Sequence, residues 1–277
     1  MNTVLTVAGK EFRDDFRNRW TVALTILFAL LALGIAWFGS AAAGRVGFTS
    51  FDATLASLTT LGAFVIPLIG LLIAYDAIVG ERDDGTLLLM LSYPLSRGQL
   101  VAGKFLGHCG ALAAATLAGF GLAVAIMQWM QPPAQTLQAW LHIGRFILSA
   151  SLLGACFVGL ACLISVQTAD KSRAAGLALI GWLASVVLFD LALLALLVVS
   201  GGNPVERAVY PYLLLLNPVD VFRLVNLTAL GDGAGNDLLT GMTAHHDYSP
   251  LLLGLVMLAW AVLPFAWALF AFRRKEV

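Results

Sequence analysis

The sequence predicts an all-α, polytopic membrane protein with six transmembrane helices. An amphipathic N-terminal helix precedes them and a helical cytoplasmic insert interrupts them. Three observations carry this. Of 277 residues, 60% are hydrophobic and 12% charged, with a mean hydropathy of +0.89, whereas soluble domains carry roughly a quarter charged residues. The apolar residues fall into long charge-free runs, and a spanning helix needs about 20 such residues. Lys and Arg are divided unequally between the two sets of connecting segments. Acidic and basic residues number 16 each, so the net charge is zero and implies no nucleic-acid partner.

Residues 1–19 are too polar to cross a bilayer. Ala8, Phe12, Phe16 and Trp20 recur every four residues beside Leu5, while Lys10, Arg13, Asp14 and Arg17 fall elsewhere. That spacing predicts an amphipathic helix lying on the membrane surface. The spans follow at 20–44, 53–79, 105–130, 143–169, 174–200 and 250–272. The third ends before Pro132-Pro133, because a proline pair cannot continue a helix. The segment "SAAAG" at 40–44 resembles a cleavage site. The apolar run before it is longer than the ~7–15 residues of a signal core, so an uncleaved first span is expected. Residues 80–104 form a cytoplasmic insert and residues 201–249 an external loop. Within the latter, 208–219 holds two prolines and is too short to span. The whole chain reads as one membrane domain.

Orientation follows from the cations. Twelve of the 16 lie on one set of segments: Lys10, Arg13, Arg17, Arg19, Arg82, Arg97, Lys104, Lys171, Arg173, Arg273, Arg274 and Lys275. Four lie on the other: Arg45, Arg145, Arg207 and Arg223. The richer side is cytoplasmic, which places both termini and the insert there.

The insert begins "GERDDGTLLLMLSYPLSRGQ". Gly80 and Gly85 bracket the charges Glu81, Arg82, Asp83 and Asp84. Pro94 makes a turn, and Ser96 with Gln99 fits a capping box. A plain connector needs only a handful of residues. One of about 25 with its own helices and caps reads as a docking surface. No GxxxxGK[ST] loop occurs, so the chain has no phosphate cradle of that type, and any nucleotide is bound by another subunit.

Glu81, Gly85-Thr86-Leu87, Leu91-Ser92, Pro94, Ser96-Arg97 and Lys104 resemble the "E…GTL…LS.P.SR……K" pattern of type-2 ABC transporter permeases, the ABC-2 family. The six-span plan, the amphipathic start and the long last external loop are similar to it too. Within the family the chain most resembles membrane subunits of complexes that mature nitrous oxide reductase. The resemblance implies a type V exporter-like fold and a homodimer. It implies two copies of a cytoplasmic ABC ATPase, docked through the coupling segment around Glu81–Pro94, with Arg97 beside it. A periplasmic accessory protein completes the expected assembly. ATP and Mg belong to the ATPase; this chain is expected to hold no cofactor and to catalyse nothing. The cargo is a sulfur species, copper, or none, the protein in the last case transmitting motion.

Other residues invite a role. Asp190 interrupts the fifth span, where a carboxylate is costly. It either handles substrate or protons or bonds a neighbouring helix or the partner copy. Met242, His245 and His246 cluster in the external loop, and Met and His ligate copper, but their spacing matches no defined site. Contact with a protein partner is the competing reading. Cys109, Cys156 and Cys162 lie in apolar runs with no disulfide or zinc spacing. A secondary transporter without an ATPase is the alternative class. It predicts internal repeats and several intramembrane charges, and no repeat is evident. A membrane-embedded enzyme would need clustered catalytic groups; His108 and Asp190 are joined by no motif.

Overall fold

The computed structural model describes residues 3–38, 51–130, 137–200, 204–228 and 248–275. Among these every regular element is helical. The order is α1 Thr3–Arg17, α2 Arg19–Phe38, α3 Phe51–Ala74, α4 Val79–Asp83, α5 Thr86–Ser92, α6 Arg97–Met130 and α7 Leu137–Gln167. It continues with α8 Lys171–Leu183, a π-helical turn at Ala184–Leu188, α9 Phe189–Ser200, α10 Pro204–Leu214, α11 Pro218–Leu227 and α12 Pro250–Arg274.

Five stretches are long and apolar enough to cross a membrane: Ala53–Asp83, Arg97–Ala125, Leu137–Gln167, Lys171–Val199 and Pro250–Arg274. The expected first span coincides with α2, whose described apolar stretch, Thr25–Gly34, is shorter. The third, fourth and fifth helices begin earlier than their apolar runs, at Arg97, Leu137 and Lys171. Charge-free runs mark what lipid tolerates, whereas a helix continues into water as long as its caps allow.

α7 is the central helix, with α12, α3 and α6 packed around it. Phe146 on α7 meets Phe120 of α6 edge-on at 4.5 Å and Phe222 of α11 at 6.1 Å. All three rings are fully buried. The fifth span is peripheral; only 11% of its apolar window is buried. The short prolyl stretch at 208–219 runs from the end of α10 into the start of α11. α11 is tucked against α3, α7 and α12, and Asn217 caps it by accepting from the Val219 amide at 3.1 Å.

Candidate functional site

The insert folds as two short helices, α4 and α5, joined at Gly85. This glycine has φ +73°, a left-handed conformation that other residues adopt at a cost. Tyr93 is extended, as a residue before proline must be. The predicted capping box is present: the Gln99 amide donates to Ser96 Oγ at 3.2 Å and the Ser96 amide to Gln99 Oε1 at 2.9 Å.

The four charges after Gly80 do not share one role. Glu81 turns inward, accepting from Lys104 Nζ at 3.1 Å and from the Thr86 hydroxyl. The Arg82 guanidinium donates to the Thr168 carbonyl at 3.0 Å. Asp83 accepts from the Lys171 amide, 2.8 Å away, at the start of α8. Asp84 remains exposed. Arg97 is bonded to the Lys275 carbonyl and lies over the Phe272 ring, while Pro94 is exposed. The outward face of the insert is apolar: Leu88 is 65%, Leu89 63% and Tyr93 67% exposed. Three of the charges hold the insert to the bundle, and Leu88, Leu89 and Tyr93 turn outward beside them.

Behind the insert lies an ion cluster that the sequence reading missed. Lys104, 3% exposed, bridges Glu81 on α4 and Glu11 on α1, the latter at 2.9 Å. One turn on, His108 Nδ1 donates to Asp15 Oδ2 at 2.8 Å. His108 Nε2 is buried 3.9 Å from Glu11 Oε2 and has no hydrogen-bond partner. Burial pushes the Glu11 carboxyl up, but the Lys104 charge and hydrogen bond, aided by His108 and Lys10, outweigh it and hold the group below its ordinary value. A cleft of about 290 Å³ opens beside the cluster, lined among others by Asp14, Asp76, Asp84 and Lys171. The signal was present in the spacing: Glu11 with Asp15 and Lys104 with His108 are both i,i+4 pairs, each on one helix face.

The cluster explains how α1 is seated. Its buried residues are Val7, Glu11 and Asp15. The aromatics expected to anchor it are on another face, Phe12 38% and Phe16 43% exposed. α1 approaches α6 across two glycines. A Cβ at Gly103 would stand 2.6 Å from Val7 Cβ, and one at Gly107 would stand 2.6 Å from Glu11 Cβ and 2.8 Å from the Ala8 carbonyl. Glycine is what permits that distance, as it does between membrane helices generally.

On the same side, Lys171 Nζ pairs with Asp76 Oδ2 at 2.7 Å. Ser165 Oγ accepts from the Ile78 and Val79 amides at 2.9 and 3.0 Å. Lys275 Nζ donates to the Val166 carbonyl at 2.6 Å. These bonds gather the ends of α3, α7 and α12 around the insert.

Asp190 lies away from that assembly, just after the π turn. It accepts from Arg223 Nη1 of α11 at 2.6 Å, so the carboxylate is partnered by a neighbouring helix. Arg223 and Asp220 were not singled out as its partners, although Asp-x-x-Arg is a helical i,i+3 pair. Met242, His245 and His246 lie outside the described residues.

The comparisons with known proteins cover the whole chain. Residues 5–277 match the model of a family described as "ABC-2 family transporter protein". A "Probable ABC transporter permease protein NosY" of Pseudomonas aeruginosa is 50% identical over 277 residues, the full length of both chains. One with the same name from Stutzerimonas stutzeri is 47% identical over 278 residues, 99% of each chain. With several spanning helices and no strand among its described residues, the chain belongs to the ABC-2 transporter family and is a multi-pass membrane permease.

Proposed function

We propose that this chain is the transmembrane subunit of an ATP-driven ABC complex that serves copper-site maturation of nitrous oxide reductase. The observation that carries the reading is the insert: a capped, two-helix segment with an outward apolar face, fixed from behind by Lys104 and Glu81. Two copies of the chain form twelve spans in a type V arrangement, α2 supplying the sixth span of each. α1 lies at the cytoplasmic interface and both termini are cytoplasmic. Each copy docks one ATPase through Leu88, Leu89, Tyr93 and the nearby carboxylates Asp83 and Asp84. The ATPase holds ATP and Mg, and this chain catalyses nothing itself.

Closure of the ATPase pair pushes on α5. The push reaches α1 and α6 together, because Lys104 ties Glu81 to Glu11 in one cluster. It reaches α7 and α8 through Arg82 and Asp83. The motion is delivered on the other side of an inner membrane to a periplasmic partner. It either carries a sulfur species or copper across or acts mechanically. The extended homology supports the family part of this reading; the maturation role rests on the resemblance to nitrous oxide reductase assembly systems.

The test is purification from native membranes in mild detergent through a C-terminal tag, with mass spectrometry and an ATPase assay on the eluate. A stoichiometric ATP-binding subunit together with a periplasmic protein is expected. A lone membrane protein with no ATPase would overturn the reading in favour of a secondary transporter.

A further inference from the structure

Between the fifth span and α11, two carboxylates share one cation. Arg223 Nη1 donates to Asp190 and also to Asp220 Oδ1, the latter at 3.1 Å. The Asp220 side chain is 0% exposed and Arg223 9%, whereas Asp190 is 36% exposed. The second oxygen of Asp220 accepts from Asn217 Nδ2 at 3.0 Å.

Among the described residues, the elements packed against α11 add no further cation. α3 presents the Phe64 ring, 5.8 Å from the Arg223 guanidinium, and its one charged residue, Asp52, is in its first turn. α7 contributes Ser149, paired with Asn226 at 3.0 Å; its His142 and Arg145 are near its start, with Arg145 exposed. α12 carries no charged residue before Arg273. With both carboxylates ionised the group has one uncompensated negative charge in a buried place, which low dielectric disfavours. Because both acids converge on one nitrogen, a proton held between them removes that charge. Burial, with the Asp190 charge adding to it and Arg223 opposing, pushes the Asp220 carboxyl up to about 7.

We propose that Asp190, Asp220 and Arg223 form a proton-binding site that holds one proton between the two carboxylates and sets how firmly the fifth span grips α11. When the proton leaves, the carboxylates repel across Arg223, and Asp190 is the one with room to move. The consequence reaches the backbone of the span. Asn217 Nδ2 donates to the Ser185 carbonyl within the π turn at 2.7 Å as well as to Asp220. A change in the charge of Asp220 therefore acts on the amide that pins the turn. The inference is independent of any ATPase.

The test uses the full chain in lipid nanodiscs, with the protonated-carboxyl infrared band followed from about pH 5 to about pH 9, a range that brackets neutrality and lies above ordinary carboxyl values. A band that disappears as pH rises through about 7 is expected. It should be absent in both Asp190→Asn and Asp220→Asn, since either change leaves one carboxylate balanced by one guanidinium. The thermal midpoint of wild type should fall as pH rises toward about 7 and level off above it, and that of Asp190→Asn should not fall. No titrating band in wild type, or a band that survives either substitution, overturns the proposal. If the Asn variants do not fold, Asp190→Glu keeps the charge and displaces the carboxyl. Its titration midpoint should move, and an unmoved midpoint overturns the proposal equally.

Discussion

Replacing Lys104 by Met tests whether one ammonium holds the cytoplasmic end together. Lys104 Nζ is 2.9 Å from Glu11 and 3.1 Å from Glu81, and the three side chains are 3%, 8% and 20% exposed. At an effective dielectric of about 20, each contact is worth roughly 5 kcal/mol before solvation is counted. Methionine matches the stem and returns the desolvation cost of the ammonium, but leaves two carboxylates facing each other in a nearly dry site. Breaking a buried pair in this way costs about 3–5 kcal/mol. Proton uptake by Glu11 limits the loss at low pH. At about 2–4 °C per kcal/mol for a chain of this size, the thermal midpoint should drop by about 10 °C. The assay is thermal unfolding of the full chain in lipid nanodiscs, run as a double-mutant cycle with Glu11→Gln. The double variant should be less destabilised than the two single changes together, by at least about 1 kcal/mol, because residues in one network couple. Additivity within about 0.5 kcal/mol would refute the reasoning, since it would mean that Lys104 and Glu11 do not stabilise each other.

Further predictions separate the anchoring of the insert from its docking and test the seat of α1. Gly107→Val should release α1 from α6 and speed tryptic cleavage at Arg13 and Arg17, since even a Cβ there lies 2.6 Å from Glu11 Cβ; Gly121→Ala, which meets nothing within 4 Å, should leave cleavage unchanged. The paired change Leu88→Asp with Leu89→Asp should abolish co-purification of the ATPase with no change in thermal midpoint. Glu81→Ala should preserve docking yet uncouple ATPase stimulation, as it severs the link through Lys104; unchanged stimulation would remove Glu81 from the coupling path. Glu11 gives a pH effect of defined sign. Its folded value lies below its unfolded one, so its stabilisation is present above the ordinary carboxylate range and is lost as pH falls through the depressed value. Thermal midpoints of wild type should fall there more steeply than those of Lys104→Met, and parallel profiles would exclude the pairing.

The sequence alone determined the class of the molecule and its punctuation. Charge-free runs reveal spans because lipid penalises charge wherever it contacts the chain, and that penalty is local. Ser96, Gln99, Pro94 and Gly85 shaped the insert because caps and turns are decided by neighbours within a few residues. Tertiary structure decided which way each side chain faced. Glu81 and Asp84 are near neighbours in sequence, yet one is sealed against Lys104 and the other meets solvent. Glu11 and Lys104 are 93 residues apart, and only the packing of α1 across Gly103 and Gly107 brings them together. The same holds for Asp190: its position within a span could be read off the chain, but its partners come from α11, which no periodicity placed beside it. Local rules fix where a helix begins and ends, whereas the pairing of buried charges depends on which helices meet, and that is settled only when the bundle closes.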